Sequence, residues 1–313
     1  MKTLFEEIIN IDKAIEQEIV LPDYQNKVKV FIKRLDLIHP HISGNKWFKL
    51  KYNLHTASEN GYNTLLTFGG TYSNHIYATS AAGKLFGFNT IGIIRGEEHL
   101  PLNSTLQFAA DNGMQLHYVT RSDYRKKHTE EFQNSLREKF GNVYIVPEGG
   151  TNPLALKGVA EIPSLIQAEL DYICAACGTA GTLSGLIAGL EGKKNLLGFS
   201  VLKGGNFLID SAEKLVEEYT QKKFSNWTIN LNYHFGGYAK INRTLIEFVK
   251  EFEKLNGIQL DYIYTGKMLY GIFDLLKSGY FKKNERIIAL HTGGLQGNEG
   301  MIKRYQSIMK LSD

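Results

Sequence analysis

Six short stretches hold residue types that can bind an anion or move a proton. They are Ser43-Gly44-Asn45-Lys46, Gly69-Gly70-Thr71-Tyr72-Ser73-Asn74-His75, Gly149-Gly150-Thr151-Asn152, Gly178-Thr179-Ala180-Gly181-Thr182, Tyr264-Thr265-Gly266-Lys267 and His291-Thr292-Gly293-Gly294. The loop at Gly178 follows an apolar run and precedes a run of small residues. Such a loop exposes backbone N–H groups at a helix start, where the dipole favours a phosphate, and its threonines add donors. It matches neither GxxxxGK[ST] nor GxGxxG, so a nucleotide reading loses its main support. Lys46 opens a helix whose apolar stripe is Trp47, Leu50, Leu54 and Ala57. Lys46 and Lys51 lie at the two rims of that stripe and Lys49 falls outside it, so the helical wheel alone does not choose between the first two. The place of Lys46 directly after Ser-Gly-Asn favours it. Burial there would lower its pKa and give the free amine that a Schiff base requires. A nucleophilic lysine, an anion cradle and hydroxyl-rich strand ends together suit pyridoxal phosphate.

Such groups need a scaffold that brings distant loops together. Apolar runs at 28–34, 63–68, 90–95, 114–120, 143–147, 171–174, 196–201, 228–231 and 286–290 read as strands. Helical patterns lie between them at 47–59, 74–86, 104–112, 122–139, 153–169, 207–221, 242–255 and 267–277. This alternation predicts an α/β fold of parallel sheets covered by helices on both faces. Residues 51–158 read as four βα units, a smaller α/β domain inserted into a larger one made of 1–50 plus 159–313. In such sheets ligands bind beyond the carboxyl ends of the strands.

Composition narrows the function classes. The chain has 313 residues, 43% hydrophobic and 22% charged, with a net charge of +4. That is an ordinary globular balance, too weakly basic to indicate nucleic acid. Glycine is in excess, 31 residues, and backbone that approaches a ligand closely is one use of it. The first 20 residues carry Glu6 and Glu7 inside their apolar stretch, unlike a secretory signal. Two uncharged runs, 60–83 and 172–190, are long enough to span a bilayer nominally, yet their glycines and hydroxyls read as strand, loop and helix start. A cytoplasmic protein with no membrane partner is expected. Cys174 and Cys177 form a C-x-x-C, but no second pair completes a zinc site, and on a strand they point to opposite faces, so no metal is expected. His39-Pro40-His41 reads as a turn.

Five of these motifs, Ser43-Gly44-Asn45-Lys46 with Lys49-Leu50, Gly69-Gly70 with Ser73-Asn74-His75, the Gly178–Gly185 loop, Tyr264-Thr265-Gly266-Lys267 and His291-Thr292-Gly293-Gly294, in this order and spacing, resemble the family of 1-aminocyclopropane-1-carboxylate deaminase and D-cysteine desulfhydrase. These are pyridoxal-phosphate enzymes of the tryptophan-synthase-β fold (fold type II). The resemblance spans residues 32–294 and implies a role for each match. Lys46 would hold the cofactor and later move the substrate Cα proton. Asn74 would contact the pyridine O3′. Ser73, with backbone of its loop and with His75, would bind the substrate carboxylate. Gly178, Thr179, Ala180, Gly181 and Thr182 would cradle the phosphate. Thr265 and Thr292 would sit near the pyridine nitrogen, and Tyr264 and Tyr238 would line the substrate pocket. Proteins of this family are commonly homodimers.

One departure bears on the substrate. The deaminase branch carries a glutamate after the pocket tyrosine, at the pyridine nitrogen, where this chain has Thr265. A carboxylate there keeps the ring protonated and a strong electron sink; a hydroxyl does not. Opening a cyclopropane needs the stronger sink, whereas β-elimination of a good leaving group does not. The expectation is a lyase that takes D-cysteine to pyruvate, sulfide and ammonia. Ring opening of 1-aminocyclopropane-1-carboxylate to 2-oxobutanoate and ammonia is the alternative within the family. Racemisation or deamination of serine would use the same fold. A non-catalytic binder of the cofactor or of a phosphometabolite would use the same loops, but it would need no proton-moving lysine and no tyrosines.

Overall fold

The computed structural model describes residues 8–21 and 28–310. Residues 1–7 of the N-terminal stretch lie outside the described part. Among the described residues ten strands form two sheets. The larger has the order β1 (Glu16–Glu18), β2 (Lys29–Lys33), β10 (Arg286–Leu290), β7 (Tyr172–Cys177), β8 (Asn195–Ser200), β9 (Trp227–Asn230). All its pairs are parallel except β1 with β2. The smaller is wholly parallel, in the order β5 (Met114–Val119), β4 (Asn89–Arg95), β3 (Thr64–Gly69), β6 (Tyr144–Val146).

Apolar strands buried on both faces account for this arrangement. On β7 the side chains alternate between two cores. Ile173, Ala175 and Cys177 pack in one cluster with the 45–59 and 181–190 helices; Cys174 and Ala176 pack in the other. The two thiols therefore face opposite sides, as their spacing requires. Both are free and buried. His39 closes a turn, its Nδ1 accepting from the amides of His41 and Ile42. Among the described residues no helix is long and apolar enough to cross a membrane, and no cluster of His, Cys, Asp and Glu could hold a metal ion.

The elements converge on one place. The carboxyl ends of β3, β6, β7 and β10 run into the glycine loops at 69–73, 147–152, 178–180 and 291–294. The Asn45–Glu59 helix enters the same region, and Gly44 permits this. Its φ is +63°, and a Cβ there would lie 2.1 Å from the Thr292 carbonyl oxygen. The Pro153–Val159 helix is wedged between the Asn45–Glu59 and Gly181–Leu190 helices. A Cβ on Gly158 would stand 1.8 Å from the Phe48 carbonyl oxygen, and one on Gly185 2.5 Å from Val159 Cβ.

Candidate active site

A cavity of about 730 Å³ opens where these loops meet. Lys46, Ser73, Asn74, His75, Gly178, Thr179, Thr182, Tyr238, Tyr264 and Thr292 line it. Ala180, Gly181 and Thr265 are not among its lining residues.

Lys46 sits on the first turn of the Asn45–Glu59 helix, its Nζ donating to Asn45 Oδ1 at 3.1 Å. Removal from bulk water lowers its pKa to about 8, and the negative charge of Asp261 opposes that shift. About one tenth is therefore the free amine at pH 7, far more than for an ordinary lysine. Lys51, the other rim lysine, pairs with Glu161 and packs over the Tyr52 ring, and it does not line the cavity. Lys49, outside the predicted stripe, does line it. It is 1% exposed, with Nζ donating to the Gly149 carbonyl at 2.9 Å and to Thr151 Oγ1 at 3.5 Å. Burial, then repulsion from Lys46, holds its pKa well below the usual lysine value. The wheel missed it because this helix is buried nearly all round, including Trp47, Phe48, Lys49, Leu50 and Lys51. The usable signal is the i, i+3 spacing of Lys46 and Lys49.

The Gly178 loop is built as an anion site. The Gly181–Leu190 helix starts with no side-chain cap, so its first N–H groups are unclaimed by side chains. Thr151 and Thr179 meet through their hydroxyls at 3.1 Å, and Asn45 Nδ2 donates to Thr182 Oγ1 at 2.8 Å. A Cβ on Gly181 would lie 2.5 Å from Thr151 Oγ1 and 3.0 Å from Lys49 Nζ. Among the described residues neither Lys46 nor Lys49 has a carboxylate within ion-pair distance. Two lysine amines, hydroxyl donors and a helix start thus share one part of the cavity, and the carboxylates that line it elsewhere, Glu148 and Glu218, pair with neither lysine. A phosphate dianion fits that part.

The loop after β3 presents a different set. Ser73 caps the Asn74–Phe86 helix by accepting from the Ile76 amide at 3.3 Å, which leaves its O–H free to donate. Asn74 Oδ1 accepts from Gln296 at 2.8 Å, which fixes the side-chain amide and leaves its NH2 as the donor. Gln296 did not stand out in the sequence. His75 differs from expectation. Thr67 gives its one hydroxyl proton to the Val146 carbonyl at 2.8 Å, so His75 Nε2, 2.9 Å away, must be the donor to that oxygen. Its Nδ1 is buried without a partner, and burial with the two lysines holds the ring neutral. The ring therefore offers a lone pair, not an N–H, and cannot donate to a carboxylate.

Tyr238 and Tyr264 meet edge to face with ring centroids 6.1 Å apart. Burial raises both phenols, Tyr238 to about 12 and Tyr264 well above its ordinary value. They are proton donors at neutral pH, not bases. Thr265 departs furthest from the implied role. It is fully buried; its Oγ1 donates to Asp261 Oδ1 at 2.6 Å and accepts from the Asp261 amide at 3.0 Å. The Asp261 carboxylate also accepts from the amides of Ile263, Tyr264 and Thr265. Asp261, buried and unremarked in the sequence, is the anion beneath this wall.

The profile of the pyridoxal-phosphate dependent enzymes matches residues 19–293. The chain belongs to this family. It is 34% identical over 282 residues to a Pyrococcus furiosus protein named as a candidate 1-aminocyclopropane-1-carboxylate deaminase, covering 86% of this chain and 85% of that one. It is 29% identical to the Arabidopsis thaliana mitochondrial bifunctional D-cysteine desulfhydrase/1-aminocyclopropane-1-carboxylate deaminase, covering 92% and 78%. A crystal structure of an ACC deaminase homologue superposes with a TM-score of 0.79 at 26% identity, covering 97% of this chain and 99% of that one. The two-sheet architecture is that of fold type II, and pyridoxal phosphate is the cofactor of this enzyme.

Proposed function

We propose that this member of the family catalyses β-elimination with deamination of a small amino acid, best of all D-cysteine, to pyruvate, sulfide and ammonia. The observation that carries this reading is Thr265. Its helix turns no carboxylate toward the cavity, and Thr292, the other residue that the resemblance sets near the pyridine nitrogen, is neutral. Bound in this site, pyridoxal phosphate supplies an electron sink for the bond to the Cα proton. Lys46 Nζ accepts that proton, since it is the group here whose pKa of about 8 lies near neutrality. Tyr238 and Tyr264 stay protonated and can donate to the departing thiolate. Ser73 Oγ would donate to the substrate carboxylate, and Asn74 Nδ2 would donate to the ring oxygen of the cofactor. The Gly178–Thr182 loop, Lys49 and Thr151 would hold the phosphate.

The names of the relatives favour a second reading, ring opening of 1-aminocyclopropane-1-carboxylate. One experiment separates the two: sulfide from D-cysteine is measured against 2-oxobutanoate from the cyclopropane substrate. The expected kcat/KM ratio favours D-cysteine by at least about tenfold, the weight of one 1.4 kcal/mol difference. Equal or faster ring opening would reverse the choice. The purified protein is expected to absorb near roughly 410–420 nm, and to lose that band in Lys46→Ala. A colourless protein that takes up no added cofactor would overturn the assignment of this site.

A further inference from the structure

Lys267 closes the Tyr264-Thr265-Gly266-Lys267 motif, and nothing in the reading above uses it. It lies on the first turn of the Thr265–Lys277 helix and is fully buried. Lysine is seldom fully buried without a paired charge, so the position needs a reason. Its ammonium donates to two backbone carbonyls, His234 at 2.9 Å and Gly237 at 2.8 Å. Those carbonyls bracket a turn of unusual backbone: φ is positive at Phe235 (52°), Gly236 (90°), Gly237 (118°) and Ala239 (53°). Two of these are not glycine, and strain of this kind persists only where the surroundings over-determine it. The residue enclosed by the strain is Tyr238, whose ring lines the cavity and whose Oη donates to the Tyr72 carbonyl at 3.3 Å.

We propose that Lys267 is the positioning residue that holds the 234–239 turn in its strained form and thereby keeps the Tyr238 phenol in the cavity against Tyr264. The inference rests on Tyr238 facing the substrate, as in the reading above. A lysine that only filled space in the helix would not need both carbonyls of this one turn. Its double donation is also beyond the reach of any apolar residue of the same length.

The test is a mutant cycle on the cofactor-loaded enzyme, using whichever amino acid the wild type turns over fastest. Lys267→Met keeps the length and removes the donors. It should lower kcat about tenfold or more, since small misplacements of a reacting group cost that much. Cofactor affinity and the visible band should not change. Added to Tyr238→Phe, it should cost less than about threefold further, because the tyrosine it serves has already lost its hydroxyl. Effects that multiply would overturn the proposal. So would a silent Tyr238→Phe, which would leave the cofactor assignment and the substrate assay standing. A second readout needs no substrate: amide hydrogen exchange in the cofactor-free protein. The amides of Gly237 and Lys240, which bond to the His234 and Gly237 carbonyls, should exchange faster in Lys267→Met. The rest of the Thr265–Lys277 helix should keep its protection. No change in the turn, or loosening along the whole helix, would overturn the proposal. If the methionine variant does not fold, Gly237→Ala attacks the same turn where φ is 118°. It should show the same loss of kcat and the same non-additivity with Tyr238→Phe, and unchanged kcat would refute the assignment.

Discussion

Lys46 and Lys49 stand three residues apart on one helix, and both lose part of their affinity for protons to burial. For Lys46 the sign is definite. The amine is reactive only when deprotonated, so capture of pyridoxal phosphate by the cofactor-free protein should speed up as pH rises through about 8, then level off. Stopped-flow absorbance against pH measures this directly. Asp261 opposes the shift, so Asp261→Asn should move that midpoint to lower pH. It should also cost about 1.5–3 kcal/mol of stability, the usual weight of a lost hydrogen bond to a charged group, read from denaturant unfolding. Lys49→Met should raise the cofactor Kd by at least about tenfold, because a charge-assisted contact to phosphate is lost, while the visible band survives at saturation. Lys46 was legible in the sequence from its place after Ser-Gly-Asn. Lys49 was legible only as part of the family motif; the helical wheel passed it over, because a stripe drawn through Trp47 and Leu50 assumes one wet face. Asp261 and the spent hydroxyl of Thr265 were not legible, since a hydrogen-bond partner is a fact of three dimensions.

At the scale of elements the patterns served well where apolar runs were long. The Asn74–Phe86 helix and the strand Arg286–Leu290 begin and end where their patterns do. The misses have local causes. The pattern at 122–139 is two helices, Arg121–Arg125 and Glu130–Phe140, because Thr129 caps a second start by accepting from the Phe132 amide. The pattern at 153–169 stops at Val159, and Pro163 lies in a short 3-10 turn that follows. Strand β1 went unread because Glu16-Gln17-Glu18 carries no apolar alternation; it is an edge held antiparallel to β2. The helix Asn298–Lys310 was also unread. Packing between elements adds a prediction. Gly158 lets the Pro153–Val159 helix press on the backbone at Phe48, two turns or less from both site lysines. Gly158→Ala should destabilise by about 1–3 kcal/mol, as overpacking does, and should weaken cofactor binding by shifting that helix. Equilibrium unfolding and cofactor titration report the two effects separately.

For the whole molecule, the cavity lies where the carboxyl ends of two parallel sheets face each other, so both sheets contribute to one site. Strand–helix alternation in the sequence implies that placement, since ligands bind beyond the carboxyl ends of parallel strands. The two cysteines report on integrity. Both are buried in β7, and burial raises Cys177 to about 12 and Cys174 further. They should resist a thiol reagent at neutral pH in the native protein and react only as it unfolds globally, both at one rate. Fast labelling of either thiol in the native state, followed by mass spectrometry, would contradict this.

The Thr265–Asp261 pair also constrains how one chemistry could descend from the other. A glutamate at 265 would enter a fully buried place already occupied by the Asp261 carboxylate, whose charge already engages the nearby lysines Lys46 and Lys267. Thr265→Glu alone should therefore lose about 3–5 kcal/mol, as an uncompensated buried charge does. Asp261→Asn, harmful by itself, should restore part of that loss. A lineage moving between elimination and ring opening would meet sign epistasis at this pair, and the order in which the two substitutions arose would matter as much as their identity.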